Sequence, residues 1–90
     1  MELYDLKAKS GENIKKFQKE ARMFFFLSKG ERSASEGKYE EALNHFLEAR
    51  RFLSSSSVPL EKIGDMFTEL NDLENAKINY EKAVKLSPKN

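Results

Sequence analysis

A chain of 90 residues with 39% hydrophobic and 34% charged side chains has room for one thin core and is too apolar in pattern for a disordered polymer. Its 16 basic and 15 acidic groups nearly cancel to +1, which excludes a global pull toward nucleic acid or an anionic membrane, and the absence of cysteine excludes disulfides and thiolate metal sites. No apolar run approaches the ~18 residues of a membrane span, and the first residues lack the basic start and apolar middle of a secretory signal, so the chain reads as a soluble cytoplasmic protein without membrane insertion.

Residues 1–22 read as a helical extension. The basic surplus lies at this end: residues 1–30 carry seven Lys/Arg against four Asp/Glu. Ser10-Gly11 predicts a break, because Gly11 can end a short helix over 2–9 or Ser10 can cap a new one. The segment 12–36 contains a single glycine, Gly30, and no proline, which predicts a continuous helix there, with a break near Arg22 as the alternative. Ile14, Phe17, Ala21, Phe24 and Ser28 track one of its faces.

The next helix is predicted over 39–53, where Tyr39, Ala42, Leu43, Phe46, Ala49 and Phe52 recur every three or four positions after a turn at Gly37. Four serines, Ser54 to Ser57, make a loop that also caps the following helix, and Pro59 falls in its first turn, where a missing N–H costs nothing. Leu60, Ile63, Gly64, Phe67 and Leu70 form that helix's stripe. Asn71-Asp72 makes a tight turn, and Leu73, Ala76, Tyr80, Ala83 and Leu86 form the last stripe before Pro88 forbids continuation. No alternating β-branched run suggests a strand. The expected fold class is all-α.

The chain repeats itself with a period of 34: Gly30 pairs with Gly64, Ala42 with Ala76, Phe46 with Tyr80 and Ala49 with Ala83. Between residues 23–56 and 57–90 just four positions are identical, but three of them are small residues where antiparallel helices must approach closely. Leu60-x-x-Ile63-Gly64-x-x-Phe67, then Ala76-x-x-x-Tyr80, Ala83 and Pro88, resembles the tetratricopeptide repeat family. The first repeat is similar at Gly30, Gly37, Tyr39, Ala42, Phe46 and Ala49, but it has Lys29 where Leu is usual, Ser33 where an aromatic is usual and Ser54 where Pro is usual. The resemblance implies a single domain over 1–90, with antiparallel hairpins over 23–56 and 57–90 stacked as a short right-handed solenoid. It also implies a concave groove lined by the first helix of each pair and used to hold a peptide or helix of a partner protein.

Helix geometry aligns Val58, Glu61, Asp65 and Glu69 on one side of the second repeat's first helix, and Phe24, Leu27, Glu31, Ala34 and Ser35 on the corresponding side of the first repeat. By the resemblance this is the groove side, apolar at one end and acidic at the other. The candidate partner-binding residues are therefore Phe24, Leu27, Glu31, Glu61, Asp65 and Glu69, and the expected partner carries an apolar anchor followed by Lys or Arg. A solvated acidic face is the plain alternative. The clamp of Lys and Asn with which some tetratricopeptide domains hold acidic chaperone tails is not matched, since Leu27 and Glu31 occupy those places.

Phe24, Phe25, Phe26 and Leu27 point all around a helix, so this patch needs cover: from Leu3, Tyr4 and Leu6, from a partner, or from a second copy. The last option is the alternative function, a structural subunit that homodimerises through its N-terminal helix. Lys15, Lys16, Lys19 and Arg22 read as a solvated basic face rather than a nucleic-acid surface. The lone His45 has no companion acid or nucleophile, and no constellation points to an enzyme, a small-molecule substrate, a cofactor or a metal. Leu43 is apolar where it should meet the next helix pair, whereas its counterpart Lys77 is charged, which predicts a final helix that faces water.

Overall fold

The structure, a computed structural model, describes residues 2–87, with side chains for residue 11 and residues 13–87. Four helices follow in order: α1 (Glu2–Ser35), α2 (Tyr39–Phe52), α3 (Val58–Glu69) and α4 (Leu73–Leu86). There is no strand among the described residues, and no helix among them is long and apolar enough to cross a membrane. The fold is an all-α helical repeat, with the C-terminal half of α1 paired with α2, α3 paired with α4, and α2 against α3.

The 34-residue period is visible in the turns. After α1, Gly37 is left-handed at φ 77°, with the Lys38 N–H donating to the Ser33 carbonyl at 2.9 Å and the Gly37 N–H to the Ala34 carbonyl at 3.0 Å. After α3, Asn71 is left-handed at φ 62°, with the Asp72 N–H donating to the Phe67 carbonyl at 2.8 Å and the Asn71 N–H to the Thr68 carbonyl at 3.0 Å. Both are Schellman ends, in which one left-handed residue satisfies the last helical carbonyls and reverses the chain. Glycine and asparagine are the residues that take this conformation at least cost. Asp72 then caps α4 by accepting from the Asn75 N–H.

One core joins the two hairpins. Met23 and Leu27 of α1, Ala42, Phe46 and Ala49 of α2, and Ile63 and Met66 of α3 are buried together. Ala42 and Ala49 are wholly covered, and Gly30 is buried against the Phe46 ring, so small residues sit where the backbones meet. Phe26 is half-buried and stacks on Phe52, with centroids 5.6 Å apart and planes 7° from parallel.

Three expectations change. The break at Ser10-Gly11 is absent: α1 runs through it, because a glycine inside a helix costs only about 1 kcal/mol against alanine and strong helix formers flank it. The Ser57 side chain does not cap α3; the Ser56 hydroxyl instead accepts from the Val58 N–H at 3.3 Å. Leu27 is 4% exposed and belongs to the core, because the neighbouring hairpin closes over that side of α1. Pro59 does lie in the first turn of α3, and α4 ends at Leu86; Pro88 lies outside the described residues.

Candidate interaction surface

Four of the six candidate residues share the surface that spans α1 and α3, and one ion pair ties its two sides together. Lys62 Nζ lies 2.7 Å from Glu31 Oε1, so α1 and α3 present Glu31 and Lys62 side by side. Two turns back along α1 from Glu31, Phe24 is 54% exposed. On α3, Val58 is partly exposed at the N-terminal end, while Asp65 and Glu69 are exposed toward the C-terminal end. The strip is thus apolar at one end and acidic at the other, with Lys62 as a positive group within it. Leu27 does not contribute, being core, and Glu61 is half-buried at the flank.

Asp65 has a structural tie as well. It accepts from the Tyr80 hydroxyl at 2.5 Å, which links α3 to α4 at the free end of the repeat. Partial burial pushes the Tyr80 phenol above its ordinary value, and the bond to Asp65 pushes it the same way. Lys62 was not among the expected site residues. The signal that finds it is tertiary: α3 lies beside α1, a relation that spacing along one helix does not report.

The departures in the first hairpin have physical compensations. Ser33 is 4% exposed and donates to Glu41 Oε2 at 2.6 Å, so a polar pair fills the place of an aromatic ring. That bond first, and then Lys38 and His45, hold the Glu41 carboxyl below its ordinary range, against a smaller opposing effect of burial. Lys29 reaches out over the Phe25 ring, 5.0 Å from its centroid. A depressed carboxylate stabilises the fold above its unfolded pKa, and that stabilisation is lost as pH falls through the folded pKa. Ser33→Ala is therefore expected to narrow its stability gap to the unaltered chain on acidification through the glutamate range. Thermal melts across that range check it, and a gap independent of pH refutes the role given to the Ser33–Glu41 bond.

The Phe patch is not covered by the described part of the chain. Phe24 and Phe25 are 54% and 57% exposed, and Ile14 and Phe17, further back along α1, are 55% and 62% exposed. The side chains of Leu3, Tyr4 and Leu6 lie outside the described residues. Their backbone belongs to α1 itself, and ~18 residues of helix separate Leu6 from Phe24 by about 27 Å, too far for cover within one copy.

Residues 60–90 match the family model of the tetratricopeptide repeat. No curated protein and no solved structure matches the chain.

Proposed function

We propose that this chain, a tetratricopeptide repeat protein by its second hairpin, holds a peptide or helix of a partner protein along the α1–α3 surface. Such repeats are in general protein-interaction modules rather than enzymes. The observation that carries the finer reading is the polarity of the strip: exposed Phe24 and Val58 at one end, Glu31, Asp65 and Glu69 toward the other. A partner with an apolar side chain followed by Lys or Arg is complementary to it. The aromatic supplies affinity by desolvation, and the carboxylates supply orientation and rate of encounter. Because Leu27 supports the core, the informative apolar substitution is Phe24→Ala alone.

The test is titration of a fluorescent peptide bearing a leucine anchor and three following lysines, against a scrambled peptide. Phe24→Ala is expected to weaken binding by about 30-fold, the ~2 kcal/mol of an aromatic anchor. Asp65→Lys with Glu69→Lys is expected to weaken it and flatten its salt dependence. Equal binding of both peptides, or unchanged affinity in both variants, refutes the assignment.

The exposed Ile14, Phe17 and Phe25 support a second reading, in which the N-terminal helix pairs with its copy and the protein is a self-associating subunit. Such a pair is isologous, so its mass stops at the dimer, and Phe17→Glu dissolves it.

A further inference from the structure

The two outer sides of the described repeat stack differ from the internal joint in a complementary way. At the joint, Ile63 and Met66 of α3 are 1% and 7% exposed because they bury in one cluster with Ala42, Phe46 and Ala49 of α2 and Met23 and Leu27 of α1. The 34-residue register converts each of these positions into its counterpart at a free end. Ile63 and Met66 become Lys29 and Arg32 on the outer side of α1, both exposed, and Pro59 becomes exposed Phe25. Met23 and Leu27 become Ser57 and Glu61 at the start of α3, and Phe46 becomes Tyr80. Where the joint is apolar on both sides, its counterparts on α1, Lys29 and Arg32, are basic and are bordered by Glu36 and Glu41, while its counterparts on α3, Ser57 and Glu61, are polar or acidic.

The receiving end also keeps the shape of the joint. An open hollow of about 580 Å³, walled almost wholly by apolar surface, lies along α4 between Leu73, Tyr80 and Val84. By the same register its lining corresponds to Tyr39, Phe46 and Arg50 of the first hairpin, where Phe46 lies in the core cluster with Ile63 and Met66 of α3 and Tyr39 packs against that cluster. Leu73 and Val84 are each 61% exposed there. Lys77 and Lys85 border the hollow with Glu81, so the acidic excess of this end comes from Glu61 and Asp65 on the α3 side. The charged Lys77 does not, therefore, close this end with a wholly polar face.

We infer that a second copy of this chain docks its α1 edge of Phe25, Lys29 and Arg32 into the α3–α4 end, continuing the helical stack from one molecule to the next. Phe25 takes the place of Pro59 beside Tyr80 and Val84, and Lys29 and Arg32 meet Glu61 and Asp65. The interface is heterologous: each copy keeps one α1 edge and one α3–α4 end for a further copy, so association runs on without closing. It shares Phe25 with the isologous α1 pair and Asp65 with the peptide-holding strip, but Lys29, Arg32 and Val84 belong to neither.

Sedimentation equilibrium of the full chain tests this. The weight-average mass is expected to keep rising with concentration past the dimer, and to fall as salt screens the charges. A head variant (Lys29→Glu with Arg32→Glu) and a tail variant (Glu61→Lys with Asp65→Lys) are each expected to self-associate at least about tenfold more weakly. Mixed in equal amounts, they are expected to associate again, because an acidic edge then meets a basic end. Val84→Lys, outside the α1–α3 strip, is expected to block stacking while leaving peptide titration unchanged, which separates failure here from failure of the groove. Far-UV circular dichroism establishes that each variant is folded. A mass that stays monomeric or levels at the dimer, tail substitutions without effect, or folded head and tail variants that do not restore association when mixed would each overturn the inference.

Discussion

Phe46→Ala is expected to remove about 3–5 kcal/mol of stability, the usual cost of deleting a fully buried aromatic side chain. A chain of this size holds a total of about 5–13 kcal/mol, so the variant is expected to be largely unfolded well below the melting temperature of the unaltered protein. The magnitude follows from position. Phe46 is 1% exposed and sits in the one cluster that contains residues of α1, α2 and α3, so its ring bonds both hairpins at once. Its neighbours offer little to fill the void, since Gly30, Ala42 and Ala49 are already the small residues of the joint. Urea titration followed by far-UV ellipticity measures the loss. The matched substitution Tyr80→Ala is expected to cost less, because Tyr80 is half-buried at the free end with an open hollow beside it. A loss below ~1 kcal/mol for Phe46→Ala would mean that the two hairpins do not share a core.

The hairpin pattern was legible in the sequence because the residues that carry it are sterically forced. Gly30 and Gly64 stand where a ring crosses the helix, Ala42 and Ala49 where backbones touch, and Gly37 and Asn71 where φ is positive. Few residue types satisfy each of these demands, so a single sequence displays them. The extent of α1 was not legible. Gly11 costs about as much in a helix as a cap restores, so local chemistry alone does not decide between a break and continuation. Ser33 departs from the repeat pattern and is instead buried with its hydroxyl donating to exposed Glu41, a residue eight positions away on another helix.

The candidate surface divides the same way. Spacing along α1 assigned Phe24, Leu27 and Glu31 to one side, and the structure separates them: Phe24 is exposed, Leu27 is core, and Glu31 pairs with Lys62. The cause is the second hairpin. A helix in a stacked array has two neighbours, so its apolar arc is wider than one partner would need, and the position at its margin is buried by a contact that no local periodicity encodes. The exposed stripe of Ile14, Phe17 and Phe25 lies outside that arc, which is why it calls for a partner beyond the chain's own hairpins.

The two glycines are not equivalent, and a matched pair of substitutions makes the difference measurable. A Cβ at Gly30 would fall inside the contact distance of the Phe46 ring, and one at Gly64 would lie 2.6–2.9 Å from the Tyr80 ring. Alanine gains about 1 kcal/mol of helix propensity at either site, while overpacking costs about 1–3 kcal/mol where the neighbour cannot yield. Phe46 is held on every side, so Gly30→Ala is expected to be a net loss of about 1–2 kcal/mol, with the α1–α2 hairpin forced apart. Tyr80 is tethered only by its hydroxyl, to Asp65 and to Thr68, and its ring borders the open hollow along α4. It can swing outward, so Gly64→Ala is expected to lie within about 0.5 kcal/mol of neutral. Urea midpoints of the two variants decide the matter. Equal losses would mean that the free end is as tightly packed as the internal joint, and would remove the room that a docking copy needs beside Tyr80.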